Sequence, residues 1–295
     1  MKTAMTFVAV AVLIGLFAHS TSLAQEAFRG DWTGEFENKR CRLSLKTSRG
    51  GSILDSWASF EAESIKGLTV PDSSDITPIH FEVAREAGTI VFDGMTKNGH
   101  GIGDYLFTPN RDYLSAMKSM GYDNLSNEQL LRLALRDVTR AFVTEMRAAG
   151  YNTATVDQLI RMRNHNITAS FVREIKAAGY DGLSVDQLVR MRNHKIDVAF
   201  IRSFSAVGYA SLTVDQLIRL RNHEVTPESI GELKALGYDN LSPDTLIRLR
   251  NHDVTPGFIK QLSGSGHRDL SPEDLIYIRN HGLDAYTNRR IKRAR

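Results

Sequence analysis

The residues best suited to chemistry recur as one phrase, Arg-x-Arg-Asn-His. It appears at Arg161, Arg163, Asn164 and His165, and again from Arg190, Arg219 and Arg248, and the final copy keeps Arg279, Asn280 and His281. Five histidines at one repeat position form a line, and a line of imidazoles suggests metal. Packed helices lie about 8–10 Å apart, whereas a Zn–N bond is about 2.0–2.1 Å, so imidazoles on adjacent helices do not share an ion without other ligands. The phrase instead suits a helix end, where Asn and His close the last turn and cations face its negative pole.

The arginines fall into two rows. Asp157, Asp186, Asp215 and Asp244 precede Arg161, Arg190, Arg219 and Arg248 by four residues. That order predicts i,i+4 ion pairs worth a few tenths of a kcal/mol each. The second row, Arg163, Arg192, Arg221, Arg250 and Arg279, has no such partner in its own helix. Either it pairs with acidic groups of the adjacent repeat, or it forms a basic stripe able to hold an acidic peptide or an envelope polyanion through bidentate contacts. These five arginines are the candidate binding residues. No HExxH, G-x-S-x-G, Walker or C-x-x-C motif occurs, so neither catalytic residues nor a metal or cofactor are expected.

The row must be held by the unit that repeats. The phrase typified by Gly179 to Val207 starts at Gly121, Gly150, Gly179, Gly208, Gly237 and Gly266, each 29 residues after the last. Such a period marks a stacked-repeat fold. Ser184 with Gln187 reads as a capping box for a first helix, and Thr226-Pro227 and Thr255-Pro256 read as starts of a second. Apolar ladders such as Leu130, Leu159, Leu188, Leu217, Leu246 and Leu275 then form a core shared between neighbours. The first copy has Ala134-Leu135-Arg136 in place of Arg-Asn-His and is expected to pack on the preceding domain; the last has polar Thr287 and Asn288, as a terminal cap needs.

Upstream, the period changes to two. Six β-rich runs (32–36, 41–45, 56–60, 79–83, 89–92 and 104–107) are separated by turn residues, with hairpins expected at Arg85–Gly88 and Lys97–Gly99 and an exposed loop from Gly67 to Pro78. Gly99-His100-Gly101-Ile102-Gly103 opens a strand rather than a helix, which excludes a phosphate loop. Cys41, the one cysteine, has no internal disulfide partner and is expected to face the core. Thr108-Pro109 is read as the start of a linking helix ending at Met120.

The expected fold is therefore α+β: a small antiparallel β-sandwich or partial barrel followed by an α-solenoid of six 29-residue helix-turn-helix repeats. The expected divisions are a signal peptide at 1–24, a β domain at 25–107, a linking half-repeat helix at 108–120, the solenoid at 121–288 and a basic tail at 289–295. Lys2, the apolar run from about Ala4 to Ala18 and Ser22-Leu23-Ala24 carry the signal-peptide reading. A net charge of +3 gives no general footprint for nucleic acid. From Gly121 onward 25 basic residues face 20 acidic ones, and the tail, with five, supplies that excess and a possible membrane contact.

The turn Gly88-Thr89, the run Phe107-Thr108-Pro109 and the repeats with Gly-Tyr, Leu-Ser, Gln-Leu and Thr-Pro resemble the extracytoplasmic repeat-containing tail of bacterial membrane metallopeptidases related to beta-lactam sensor-transducers. The peptidase domain and its HExxH are absent, so the resemblance implies an extracytoplasmic setting, periplasmic or secreted, and a sensing or scaffolding role. The expected function is a non-enzymatic module that binds an extracytoplasmic protein or peptide through the repeats. Gly30-Asp31-Trp32 resembles the Gly-x-Trp opening of lipocalin-like barrels, which implies the alternative of a carrier for a small apolar ligand in the β domain. An unrecognised hydrolase is the remaining alternative.

Overall fold

A computed structural model describes residues 28–37, 39–49, 52–69 and 74–293. The signal-peptide segment, and the tip of the 67–78 loop at 70–73, lie outside the described residues.

All six expected strands form, each longer than the sequence pattern alone delimits: β1 (Phe28–Glu37), β2 (Arg40–Arg49), β3 (Ser52–Glu61), β4 (Thr77–Arg85), β5 (Gly88–Lys97) and β6 (His100–Pro109). They make one antiparallel sheet in the order β3-β2-β1-β6-β5-β4. Of the two forms expected, the sheet takes the partial barrel and not the sandwich. The second layer over its inner face is helical, because α2 (Asn127–Leu135) packs against β3, β5 and β6. The edges approach through one bridge, in which the Lys66 and Glu82 backbones exchange hydrogen bonds of 3.1 and 2.9 Å. The expected turns are present; at β5–β6, Asn98 (φ 50°) and Gly99 (φ 75°) are both left-handed, as a two-residue hairpin turn requires.

Trp32 is the centre of the sheet's core. It is 1% exposed, its indole N–H donates to the Asp93 carbonyl at 3.1 Å, and the Phe81 and Phe92 rings stand edge-on to it at 5.4 and 5.9 Å. The glycine-rich run of β6 makes room for this packing. A Cβ on Gly101 would lie 2.7 Å from the Trp32 ring, and one on Gly103 would lie 2.0 Å from the Asp93 carbonyl oxygen. The run is thus a close-approach segment of a curved strand.

Pro109 ends β6, and the linking helix α1 spans Arg111–Ser119, so it starts later than Thr108-Pro109 suggests. Asn110 is its cap, accepting from the Asp112 and Tyr113 amides. Six helix pairs follow. They are α2 with α3 (Arg140–Ala148), α4 (Val156–Asn164) with α5 (Ala169–Ala177), α6 (Val185–Asn193) with α7 (Val198–Ala206), α8 (Val214–Asn222) with α9 (Pro227–Ala235), α10 (Pro243–Asn251) with α11 (Pro256–Gly264), and α12 (Pro272–His281) with α13 (Leu283–Arg293). First helices stack on first helices from α2 through α12, while α1 packs on α3 and so serves as the second helix of a half-repeat.

The helices are short, and their ends are chemically specified. Ser126, Thr155, Ser184 and Thr213 form full capping boxes with Gln129, Gln158, Gln187 and Gln216. Second helices stop at a left-handed glycine, as at Gly179 (φ 98°), where the Tyr180 amide then reaches back to the Ile175 carbonyl. First helices stop differently. His165, His194, His223 and His252 are C-caps, and the left-handed residue after each is Asn166, Lys195, Glu224 or Asp253.

The Leu130-to-Leu275 ladder is buried throughout. In the first copy Ala134 and Leu135 are buried, and Arg136 donates to the Trp57 carbonyl at 2.6 Å on the edge strand β3. At the other end α13 runs to Arg293, so most of the expected tail is helical; Arg289 lies over the Tyr277 ring at 4.4 Å. No helix among the described residues is long and apolar enough to cross a membrane.

Candidate functional site

The arginine rows sit in the last turns of the first helices, and stacking sets them side by side. The first row is paired, but not as the i,i+4 spacing suggests. Arg132 meets Asp157 at 2.7 Å, Arg190 meets Asp215 at 2.6 Å, Arg248 meets Glu273 at 2.9 Å, and Arg161 and Arg219 meet Asp186 and Asp244 in the same way. Each pair joins one repeat to the next. Long side chains on a helix point back toward its N-terminus, which carries each guanidinium to the first turn of the stacked first helix of the next repeat.

The second row lies on aromatic rings. Arg163, Arg192, Arg221 and Arg279 stand over Phe142, Phe171, Phe200 and Phe258 of the preceding repeat at 5.5, 4.8, 4.9 and 5.2 Å. Arg250 faces Ser229, where the phenylalanine row breaks, and pairs with Glu224 at 2.8 Å instead. Arg163 also has an acid, Asp137, at 3.3 Å. Arg192, Arg221 and Arg279 have no carboxylate within 4.0 Å among the described residues.

What differs among them is the left-handed residue just after each first helix, one repeat back. It is Asp137 opposite Arg163, Asn166 opposite Arg192, Lys195 opposite Arg221 and Glu224 opposite Arg250. An acid thus meets Arg163 and Arg250, whereas Arg279 stands without a pair, since Asp253, the residue opposite it, lies 3.8 Å from Arg250 instead. The charge of Arg192 and Arg221, between Arg163 and Arg250, is also left standing. A cleft of about 630 Å³ opens there, lined among others by His165, Asn166, Arg192, Asn193, Lys195 and Arg221. Its one acid, Asp197, is engaged as a cap, accepting from the Phe200 amide at 2.8 Å.

The histidines form their own ladder. His165, His194 and His223 lie 2.8 Å, through Nδ1, from Oδ1 of Asn193, Asn222 and Asn251 in the next repeat, and His252 lies 3.1 Å from Oδ1 of Asn280. Donation from Nδ1–H occupies the carboxamide oxygen and leaves the Asn N–H groups as donors. Among the described residues no three His, Cys, Asp or Glu side chains gather as metal ligands.

In the β domain, a surface cleft of about 430 Å³ is lined by Trp57, Arg42, Glu35 and His100, and Trp32 does not line it. Trp57, Met95 and Ile102 are exposed. The strand register sets Ile102 opposite Met95 and opposite Thr33, and Ser44 opposite Trp57, in one row across the sheet.

Sequence reasoning named Arg192 and Arg221 but missed Lys195. The signal was present, because the residue after each His is the one site near the phrase whose charge changes sign from copy to copy.

No protein-family model matches the chain, and no curated protein or solved structure matches it.

Proposed function

We propose that this chain is an extracytoplasmic, non-enzymatic scaffold or sensing module that binds a protein or peptide through its repeat surface. The observation that carries the reading is the pair of exposed guanidiniums, Arg192 and Arg221, held over rings in a 630 Å³ cleft without a carboxylate partner among the described residues. An arginine already held against a ring loses less side-chain freedom when it is engaged, so such a surface is prepared for a partner. The resemblance of the repeats to the tails of membrane metallopeptidases supports the extracytoplasmic setting. The side chains packed about Trp32 weigh against the apolar carrier.

The test uses the chain from Gln25 as bait for an envelope extract, beside a variant with Arg163, Arg192, Arg221, Arg250 and Arg279 all changed to Gln. Because α2 is buried on the sheet, the domains are not separated. Loss of capture at unchanged helicity supports the repeat surface. Undiminished capture rejects it and moves attention to the row of Trp57, Ile102 and Met95.

A further inference from the structure

We infer that the ligand of the central cleft is an extended acidic peptide segment whose carboxylates are spaced three residues apart, received by Arg192 and Arg221 with Lys195 between them. The inference rests on the reading above and specifies the chemistry of its partner.

The cleft's cationic side chains are donors only, beside the amides of Asn164 and Asn166, which can both donate and accept. Arg192 and Arg221 have only N–H groups, Lys195 likewise, and the Asn193 oxygen already faces His165 at 2.8 Å. The lone carboxylate, Asp197, is engaged with the Phe200 amide. Three cations beside one engaged carboxylate favour a ligand whose acceptors carry negative charge.

Spacing narrows the class. Equivalent positions on stacked helices recur at about 8–10 Å. A polyproline II chain has three residues per turn and rises about 3.1 Å per residue, so side chains three apart recur on one face at about 9 Å, whereas in a β-extended chain they point to opposite faces. Two carboxylates at that interval meet two successive arginines, held over Phe171 and Phe200 at 4.8 and 4.9 Å and without a carboxylate partner among the described residues.

The flanks set the length and exclude a long polyanion. The next arginines along the row, Arg163 and Arg250, are each already paired, with Asp137 at 3.3 Å (shared with Arg85 at 3.6 Å) and with Glu224 at 2.8 Å. A nucleic acid or a polyanionic glycan carries its charge through both ends of the cleft and meets those carboxylates. A peptide with a short acidic run does not.

The test is fluorescence anisotropy at low salt with the full chain from Gln25. The probe is a labelled proline-rich peptide carrying two Glu three positions apart. Controls are the same peptide with Gln for Glu, the peptide with its two Glu adjacent, and free citrate as competitor. The i,i+3 peptide is expected to bind at least about tenfold more tightly than either control peptide, and citrate is expected to compete poorly. The double variant Arg192→Gln/Arg221→Gln weakens binding about tenfold or more. Lys195→Glu does so too, and it introduces a residue that position already holds as Glu224 in the next repeat, so folding is not at issue. Arg161→Gln, in the paired row, leaves binding unchanged. Equal binding of the Glu and Gln peptides, insensitivity to the Arg192 and Arg221 changes, or equal competition by citrate overturns the inference. Should the peptide fail while the five-Gln chain still loses its captured partner, this inference falls and the repeat-surface reading stands.

Discussion

The phenol of Tyr180 donates to the carbonyl of Leu212 at 2.6 Å, across 32 residues and into the next repeat. Tyr122, Tyr151, Tyr209 and Tyr238 make the same bond to Ala154, Leu183, Leu241 and Leu270. Each tyrosine follows a left-handed glycine, so the helix stop also aims the staple. Tyr180→Phe keeps the ring and leaves a largely buried carbonyl without its donor. It is expected to cost about 1 kcal/mol, read as a lower urea midpoint at unchanged native helicity. An unchanged midpoint would show the staple to be energetically idle.

The stacked pair Phe171 and Arg192, 4.8 Å from ring centroid to guanidinium carbon, makes its own prediction. A double-mutant cycle with Phe171→Leu and Arg192→Gln is expected to give a coupling of about 0.5–1 kcal/mol. The same cycle on Ser229 and Arg250, with Ser229→Leu, should give no coupling, because Arg250 turns to Glu224.

Glu86 joins the sheet to the solenoid and makes the junction sensitive to acid. Its carboxylate accepts from the Arg140 amide at 2.9 Å and from Arg140 Nε at 3.0 Å, where α3 begins. The Arg140 amide bond, above all, holds its pKa below the ordinary carboxylate value, against some desolvation. A depressed folded-state pKa adds stability that is present above the unfolded value and lost as pH falls through the folded one. The stability advantage of wild type over Glu86→Gln should therefore be full above about pH 5 and shrink below about pH 4. A difference independent of pH would refute the assignment.

Cys41 is fully buried in the sheet, and burial pushes its thiol up to about 12. The folded chain is expected to resist iodoacetamide at pH 8 and to be alkylated once denaturant is added. Rapid labelling of the folded chain would place the thiol elsewhere.

What the sequence disclosed well is what is local. Capping residues, turn glycines and apolar ladders act within a few residues of themselves, so Ser184 with Gln187 and Asn98 with Gly99 could be read directly. Partners across repeats were another matter. Asp157 sits four residues before Arg161 and satisfies the helical pairing rule, yet Arg161 reaches Asp186 of the next copy. The rule does not see the neighbour that stacking supplies. The sheet shows the same limit. Alternation in six strands fixes which side chains face inward, but a sandwich and a half-barrel share that pattern. The choice depended on α2 as the covering layer. At the candidate site, Arg192 and Arg221 were legible as types, whereas their lack of counter-charge depended on residues one repeat back.

Three kinds of link between copies reach one step forward: Tyr151 to Leu183, Arg161 to Asp186, His165 to Asn193. Excising 179–207 would offer those same donors Leu212, Asp215 and Asn222, each the counterpart 29 positions on. Copies are thus interchangeable parts, and a gene encoding them can lengthen or shorten by unequal recombination without a broken joint. The charge after each histidine does differ from part to part, so inheritance can rewrite the face of the molecule while its frame stays as it was.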